Sequence, residues 1–129
     1  AHKFQIEVVP LVGPSSILLA LMSSGLNGQN FAFTGYLPID KSERNRRIKD
    51  LEVLSRKTKQ TQIFMETPYR NLQLFESILK VCSKNTKLCI AANITLDSEN
   101  IKTKTIEEWK SSNPPNIHKS PTIFLIHAR

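Results

Sequence analysis

Short runs of β-branched and aromatic residues alternate in this chain with longer stretches of helical spacing, and most junctions carry a cap or a breaker. Such alternation places strands between helices and dictates an α/β layered domain. Strand-like runs are Ile6–Pro10, Phe31 to about Pro38, Gln62–Met65, Leu88–Ala92, Ile101–Thr103 and Pro121–His127. The stretch Ile17–Ser24 is apolar almost all round, as a buried helix is, and Gly25 supplies a left-handed cap after it. Asp40 and Glu43 have capping-box spacing, so a helix is expected from Lys41 to about Arg56 with Ile48, Leu51 and Leu54 on one side. Thr67 as N-cap and Pro68 at the first helical position open the next helix, whose stripe is Leu72, Phe75, Ile78, Leu79 and Cys82. Thr105 and Glu108 form another capping box before Trp109, and Asn113-Pro114-Pro115-Asn116 is a breaker. The glycines are all accounted for by turns and caps.

Length and composition narrow the class. The 129 residues suit one hydrophobic core, with 40% apolar and 22% charged residues, the mix of a soluble protein. The longest apolar stretch, Ile17–Met22, falls far short of the roughly 18–20 residues that cross a bilayer. No signal-peptide pattern opens the chain, which starts at Ala1 rather than Met. Cys82 and Cys89 read as two buried thiols of a reducing cytoplasm, and His2, His118 and His127 are scattered, so no metal site is expected. Lysine and arginine total 18 against 11 acids, a net charge of +7 that favours polyanionic partners such as RNA. Much of the excess lies in Lys41, Arg44, Arg46, Arg47, Lys49, Arg56, Lys57 and Lys59. Glu43, Asp50 and Glu52 interrupt that run, so it reads as a solvated helix face with local pairs or as an RNA contact.

Specific blocks go further than the pattern. They are Pro10-Leu11-Val12-Gly13-Pro14-Ser15-Ser16, Leu19-Ala20-Leu21, Ser24-Gly25-Leu26 and Phe31-Ala32-Phe33-Thr34-Gly35-Tyr36-Leu37-Pro38. Thr61-Gln62-Ile63-Phe64-Met65-Glu66-Thr67-Pro68-Tyr69-Arg70, Leu88-Cys89-Ile90-Ala91, then Thr95, Glu99, Ile101 and Trp109 follow in order. In that order and spacing the chain resembles the C-terminal half of the tetrapyrrole methylase superfamily, from about Ile6 to Ile126. Within the superfamily it is most similar to the branch that 2′-O-methylates 16S rRNA. The resemblance implies an αβα-layered domain with about five strands in one mixed sheet and flanking helices. It places residues 1–10 at the end of an interdomain connection and residues 11–129 in the C-terminal domain, with the N-terminal cofactor-loop domain absent.

The resemblance also implies S-adenosylmethionine as methyl donor, held in a cleft between two domains, and half of that pocket in this chain. Cofactor-lining positions carried over are Met65, Glu66 and Thr67 at one strand end, Ala91, Ala92 and Asn93 at another, and Pro121 and Thr122 at a third. Strand ends are where α/β sheets gather ligands. Glu66 could instead pair with Arg70, four residues on, and strand packing alone would account for Ala91-Ala92. Thr34, Tyr36 and Arg70 are the substrate-side positions; Arg70 suits an RNA phosphate or serves as partner to Glu66. Gly13-Pro14-Ser15-Ser16 caps a helix or binds an anion there. No catalytic base is assigned, and the absent half leaves room for it. One departure bears on substrate: the rRNA branch carries Arg-Glu where this chain has Ala92-Asn93, and lysine at Leu96. The alternatives are a tetrapyrrole carbon as methyl acceptor, or a basic RNA-binding module without chemistry. Homodimers in the cytoplasm, not at a membrane, are the family habit.

Overall fold

The computed structural model describes residues 16–128. The expected strand at Ile6–Pro10, the Gly13-Pro14-Ser15 segment and the boundary at residue 10 lie outside the described residues. Within them, helices α1 (Ser16–Ser24), α2 (Lys41–Thr58), α3 (Asn71–Val81) and α4 (Ile106–Lys110) alternate with strands β1 (Phe31–Tyr36), β2 (Thr61–Met65), β3 (Lys87–Ala92), β4 (Asn100–Thr105) and β5 (Thr122–His127). The strands form one mixed sheet in the order β1-β2-β5-β3-β4. β1 and β2 run parallel, whereas β5 is antiparallel to both β2 and β3, and β4 is antiparallel to β3. β1, β2 and β3 therefore all end at the same edge of the sheet, where β5 begins.

Alternation along each buried strand separates two cores. On one face Phe64, Leu88, Ile90, Phe124 and Ile126 pack with Ile48 and Leu51 of α2, Leu74, Phe75 and Ile78 of α3, and Trp109 of α4. On the other face Ile63, Cys89, Ala91, Ile123 and Leu125 meet Ala20 and Leu21 of α1. This is the layered α/β arrangement expected from the alternation of elements. Phe64 and Phe124 stack across the β2–β5 pair, centroids 6.2 Å apart. The Trp109 indole N–H donates to the Leu88 carbonyl at 2.8 Å, which anchors α4 to the sheet.

The helices differ from expectation in ways that bear on function. Leu18 and Met22 are exposed, so α1 is a surface helix rather than a buried one. Gly25 follows it at φ +73°, the left-handed cap that its position predicts. In α2 the buried stripe is Arg44, Ile48, Leu51, Glu52 and Ser55, and Leu54 turns to solvent. The helix runs on to Thr58 and closes with Lys59 in the left-handed region. Asp40 caps it by accepting from the Glu43 N–H at 3.0 Å, and at α4 both bonds of the Thr105–Glu108 capping box form. Pro68 opens a 3-10 turn (Pro68–Arg70) before α3 proper, and the Thr67 side chain makes no capping bond there.

Candidate functional site

At the shared edge, where β1, β2 and β3 end and β5 begins, an open cleft of about 320 Å³ lies on the α1 side of the sheet. Sheet edges of this kind bind ligands because adjacent strand ends leave backbone groups and side chains converging without a neighbour above them. Tyr36 comes from β1, Met65 and Glu66 from the end of β2, Ala91 and Asn93 from the end of β3, and Pro121 and Thr122 from the start of β5. Seven of the positions expected at a ligand site are thus brought together. Register explains the meeting: Met65 pairs with Ile123 and Ala91 with Ile123 across β5, so all three side chains share a face.

Tyr36 reaches this face through a bulge. Phe33 pairs with Ile63, but Gly35 pairs with Phe64 and Tyr36 with Met65, so Thr34 is the extra residue. One inserted residue moves every later side chain to the opposite face. Without it Tyr36 would point toward the α2–α3 core; with it, Tyr36 joins Met65 above the cleft. Gly35 sits at φ +83°, where an added Cβ meets nothing nearer than Phe33 at 4.0 Å. Its role is therefore conformational freedom within a strand, not the turn or cap expected. Thr34 itself does not line the cleft.

Ala92 and Thr67 are also outside it. Ala92 points to the opposite face, into the core shared with α2 and α3. The Thr67 amide donates to Glu66 Oε1 at 2.7 Å, and its hydroxyl accepts from Arg70 Nη2 at 3.3 Å. Arg70 Nε lies 3.5 Å from Glu66 Oε1, Nη1 donates to the Tyr69 hydroxyl at 2.7 Å, and the guanidinium stacks 4.6 Å from the Tyr69 ring. Glu66 thus both lines the cleft and pairs with Arg70. Among the described residues its Oε2 is buried with no hydrogen-bond partner.

Ser16, Pro68, Ile94, Leu96 and Ile123 complete the lining. Ile123 is legible once β5 is placed between β2 and β3, a neighbour relation that no local pattern reveals. Ile94 and Leu96 come from the turn after β3, which is unusually bent. Asn93 and Thr95 have φ of 53° and 69°, and for β-branched Thr95 that conformation is a genuine outlier. The Thr95 N–H donates to Glu99 Oε1 at 2.9 Å, and the Asn93 N–H to the Pro121 carbonyl at 2.9 Å. Facing it, the buried Asn71 amide donates to the Ile117 carbonyl at 2.9 Å, the Ser120 carbonyl at 2.7 Å and the Thr122 hydroxyl at 3.2 Å. These bonds hold the Pro121-Thr122 wall of the cleft against α3.

Among the described residues no helix is long and apolar enough to cross a membrane. No three His, Cys, Asp or Glu gather there at metal-binding distance. The two thiols lie on opposite faces of the sheet, Cys82 with α2 and α3 and Cys89 with α1.

No protein-family model matches the chain. It is 30% identical over 125 residues to ribosomal RNA small subunit methyltransferase I of Vibrio cholerae, which covers 95% of the chain and 42% of that protein. It is 31% identical over 124 residues to the protein of the same name from Buchnera aphidicola subsp. Schizaphis graminum, covering 94% of the chain and 42% of the relative. The chain therefore spans about two fifths of the length of these relatives. Among solved structures it resembles the cobalamin biosynthetic enzyme cobalt precorrin-4 methyltransferase CbiF, with a TM-score of 0.57, 12% identity, and 98% of this chain and 54% of that one covered. The methyltransferase CobJ gives a TM-score of 0.56 at 14% identity, covering 86% of this chain and 46% of that one. At such identities the fold is what is shared, and it is the tetrapyrrole methylase fold.

Proposed function

We propose that this chain, homologous over most of its length to ribosomal RNA small subunit methyltransferase I, is the C-terminal part of an S-adenosylmethionine-dependent methyltransferase acting on a 2′-hydroxyl of 16S rRNA. The observation that carries the proposal is the cleft at the strand ends, lined by Tyr36, Met65, Glu66, Ala91, Asn93, Pro121 and Thr122. Its volume stands at the lower end of the roughly 300–1,000 Å³ typical of small-molecule sites, as expected of a pocket completed by a second domain. The residues fit the cofactor: Ala91 leaves room for a flat ring against the sheet, and Glu66 brings a carboxylate to the cleft wall. When bound, S-adenosylmethionine supplies a methyl group on a positively charged sulfur.

Within that reading the chain's own residues position rather than react. Arg70 keeps the Glu66 carboxylate aimed, Asn71 fixes the Pro121-Thr122 wall, and the bulge at Thr34 brings Tyr36 to the cleft mouth where substrate enters. Holding donor and acceptor in line supplies much of the rate in a transfer of this type. A homodimer in the cytoplasm completes the proposal, with the Ala92-Asn93 and Leu96 departures as tolerated variation.

The test is a labelling assay. The full-length parent protein with radiolabelled S-adenosylmethionine is offered undermodified 30S subunits and uroporphyrinogen side by side, and the 129-residue chain is assayed in parallel. Label in 16S rRNA with the parent, and none with the chain alone, is expected. Label in the tetrapyrrole only would transfer the chain to the other branch. Label in neither would leave a non-catalytic RNA-binding module, and turnover by the chain alone would refute the half-enzyme reading.

A further inference from the structure

Arg44 stands apart from the other cations of α2. The spacing of the basic run makes it one more member of a solvated face, yet it is only 6% exposed. Its Nε donates to the Ser77 hydroxyl at 3.0 Å, and Nη1 reaches the Ile39 carbonyl at 3.5 Å. No carboxylate among the described residues lies within ion-pair distance of it. A guanidinium withdrawn from water and met only by neutral acceptors is costly, and buried charges are ordinarily paired. The missing partner has a place to sit. Arg44 lines a groove of about 240 Å³ between α2 and α3, together with exposed Lys41, Gln73, Glu76 and Lys80 and buried Ser77. Three cations face one carboxylate there, and Glu76 makes no ion pair among the described residues. The groove lies on the face of the sheet opposite the cleft, the face that α2 and α3 cover.

We propose that the α2–α3 groove is a phosphate-binding site, occupied in use by a backbone phosphate of the RNA substrate. A planar fork of donors held by a hydroxyl, with the ammonium groups of Lys41 and Lys80 in the same groove, matches several phosphate oxygens at once. The net charge of +7 draws such a strand in. The identity of the phosphate as RNA rests on the function proposed above; the site itself rests on Arg44.

Two measurements on the chain test it. Inorganic phosphate is titrated while the Arg44 Nε–H resonance is followed by NMR, and a single-stranded RNA oligonucleotide is titrated by fluorescence anisotropy at several salt concentrations. Both use the wild type, K41Q/K80Q, which leaves the buried Arg44 packing untouched, and R47Q/K57Q as a charge-matched control on exposed positions of α2. A saturable shift of Arg44 Nε–H that K41Q/K80Q abolishes is expected. RNA affinity should fall about tenfold in K41Q/K80Q, with the salt slope shallower by about 0.7 for each phosphate no longer neutralised; R47Q/K57Q should change neither by as much. No saturable shift, or an equal weakening in the control, overturns the site. A phosphate shift with RNA affinity unchanged overturns RNA as its source. Phosphate and RNA binding that persist while the parent labels no rRNA would sink the methyltransferase reading and leave the groove standing.

Discussion

Single residues here carry opposite meanings depending on burial, and Glu52 is the clearest case. Sequence places it among acids interrupting a basic face, but it is fully buried. Its carboxylate accepts from the Thr86 hydroxyl at 2.6 Å, the Ser83 N–H at 2.7 Å and Lys49 Nζ at 3.0 Å, with Arg56 Nη2 3.9 Å away. Burial alone would raise its pKa, and the bonds from Thr86, Lys49 and Ser83 outweigh burial and hold it below the ordinary 4.5. A carboxylate with a depressed pKa contributes stability that is complete above the ordinary value and lost as pH falls through the folded one. Glu52→Gln should therefore cost about 2 kcal/mol at neutral pH, from hydrogen bonds to a charged group. The deficit should shrink below pH 4.5 as wild type protonates. Urea midpoints at pH 7 and pH 3 check this, and a deficit that does not change with pH contradicts it.

Among the elements, β1 shows how one backbone position sets the site. The run Phe31–Pro38 reads as a plain strand, and a plain strand would have sent Tyr36 to the wrong face. The bulge at Thr34, permitted by Gly35 at φ +83°, corrects the face. Gly35→Ala puts a Cβ into the left-handed region, at a cost of about 1–2 kcal/mol. Because asparagine tolerates that region, Gly35→Asn should lose less. Chemical denaturation checks both, and an alanine variant as stable as wild type would show that the bulge does not need this conformation. Helix caps at Asp40 and Thr105 were legible because a cap is a local event between residues three apart. The 3-10 turn at Pro68 was not, since its partners are distant: the Lys119 N–H donates to the Pro68 carbonyl, and Asn71 at the end of the turn donates to the Ile117 and Ser120 carbonyls, 46 and 49 residues away.

At the scale of the whole molecule, the sheet separates the two thiols. Cys82 is buried beside Glu52; burial first, and that carboxylate second, raise its pKa. Burial likewise raises that of Cys89, against a smaller lowering by a bond from Thr103. Thiolates are the reactive form, so neither should react while the fold is intact. A disulfide-exchange reagent at pH 8 should titrate no thiol in the native chain and both in denaturant. Rapid labelling of either under native conditions would mean that its side of the sheet opens locally.

Residues close in sequence determined what local physics can determine: the alternation of strands and helices, the caps at Asp40, Gly25 and Thr105, and the membership of most core positions. They also placed Met65, Glu66, Ala91, Asn93, Pro121 and Thr122 at strand ends, because the chain alone says where a strand stops. Tertiary structure decided what depends on distant neighbours. It put β5 between β2 and β3 so that those ends converge, turned Ala92 away from the cleft and Tyr36 toward it, and buried Glu52 among donors and Arg44 with no anionic partner among the described residues. Periodicity cannot distinguish a charge in solvent from a charge in a core, since the difference lies in which helix packs against it.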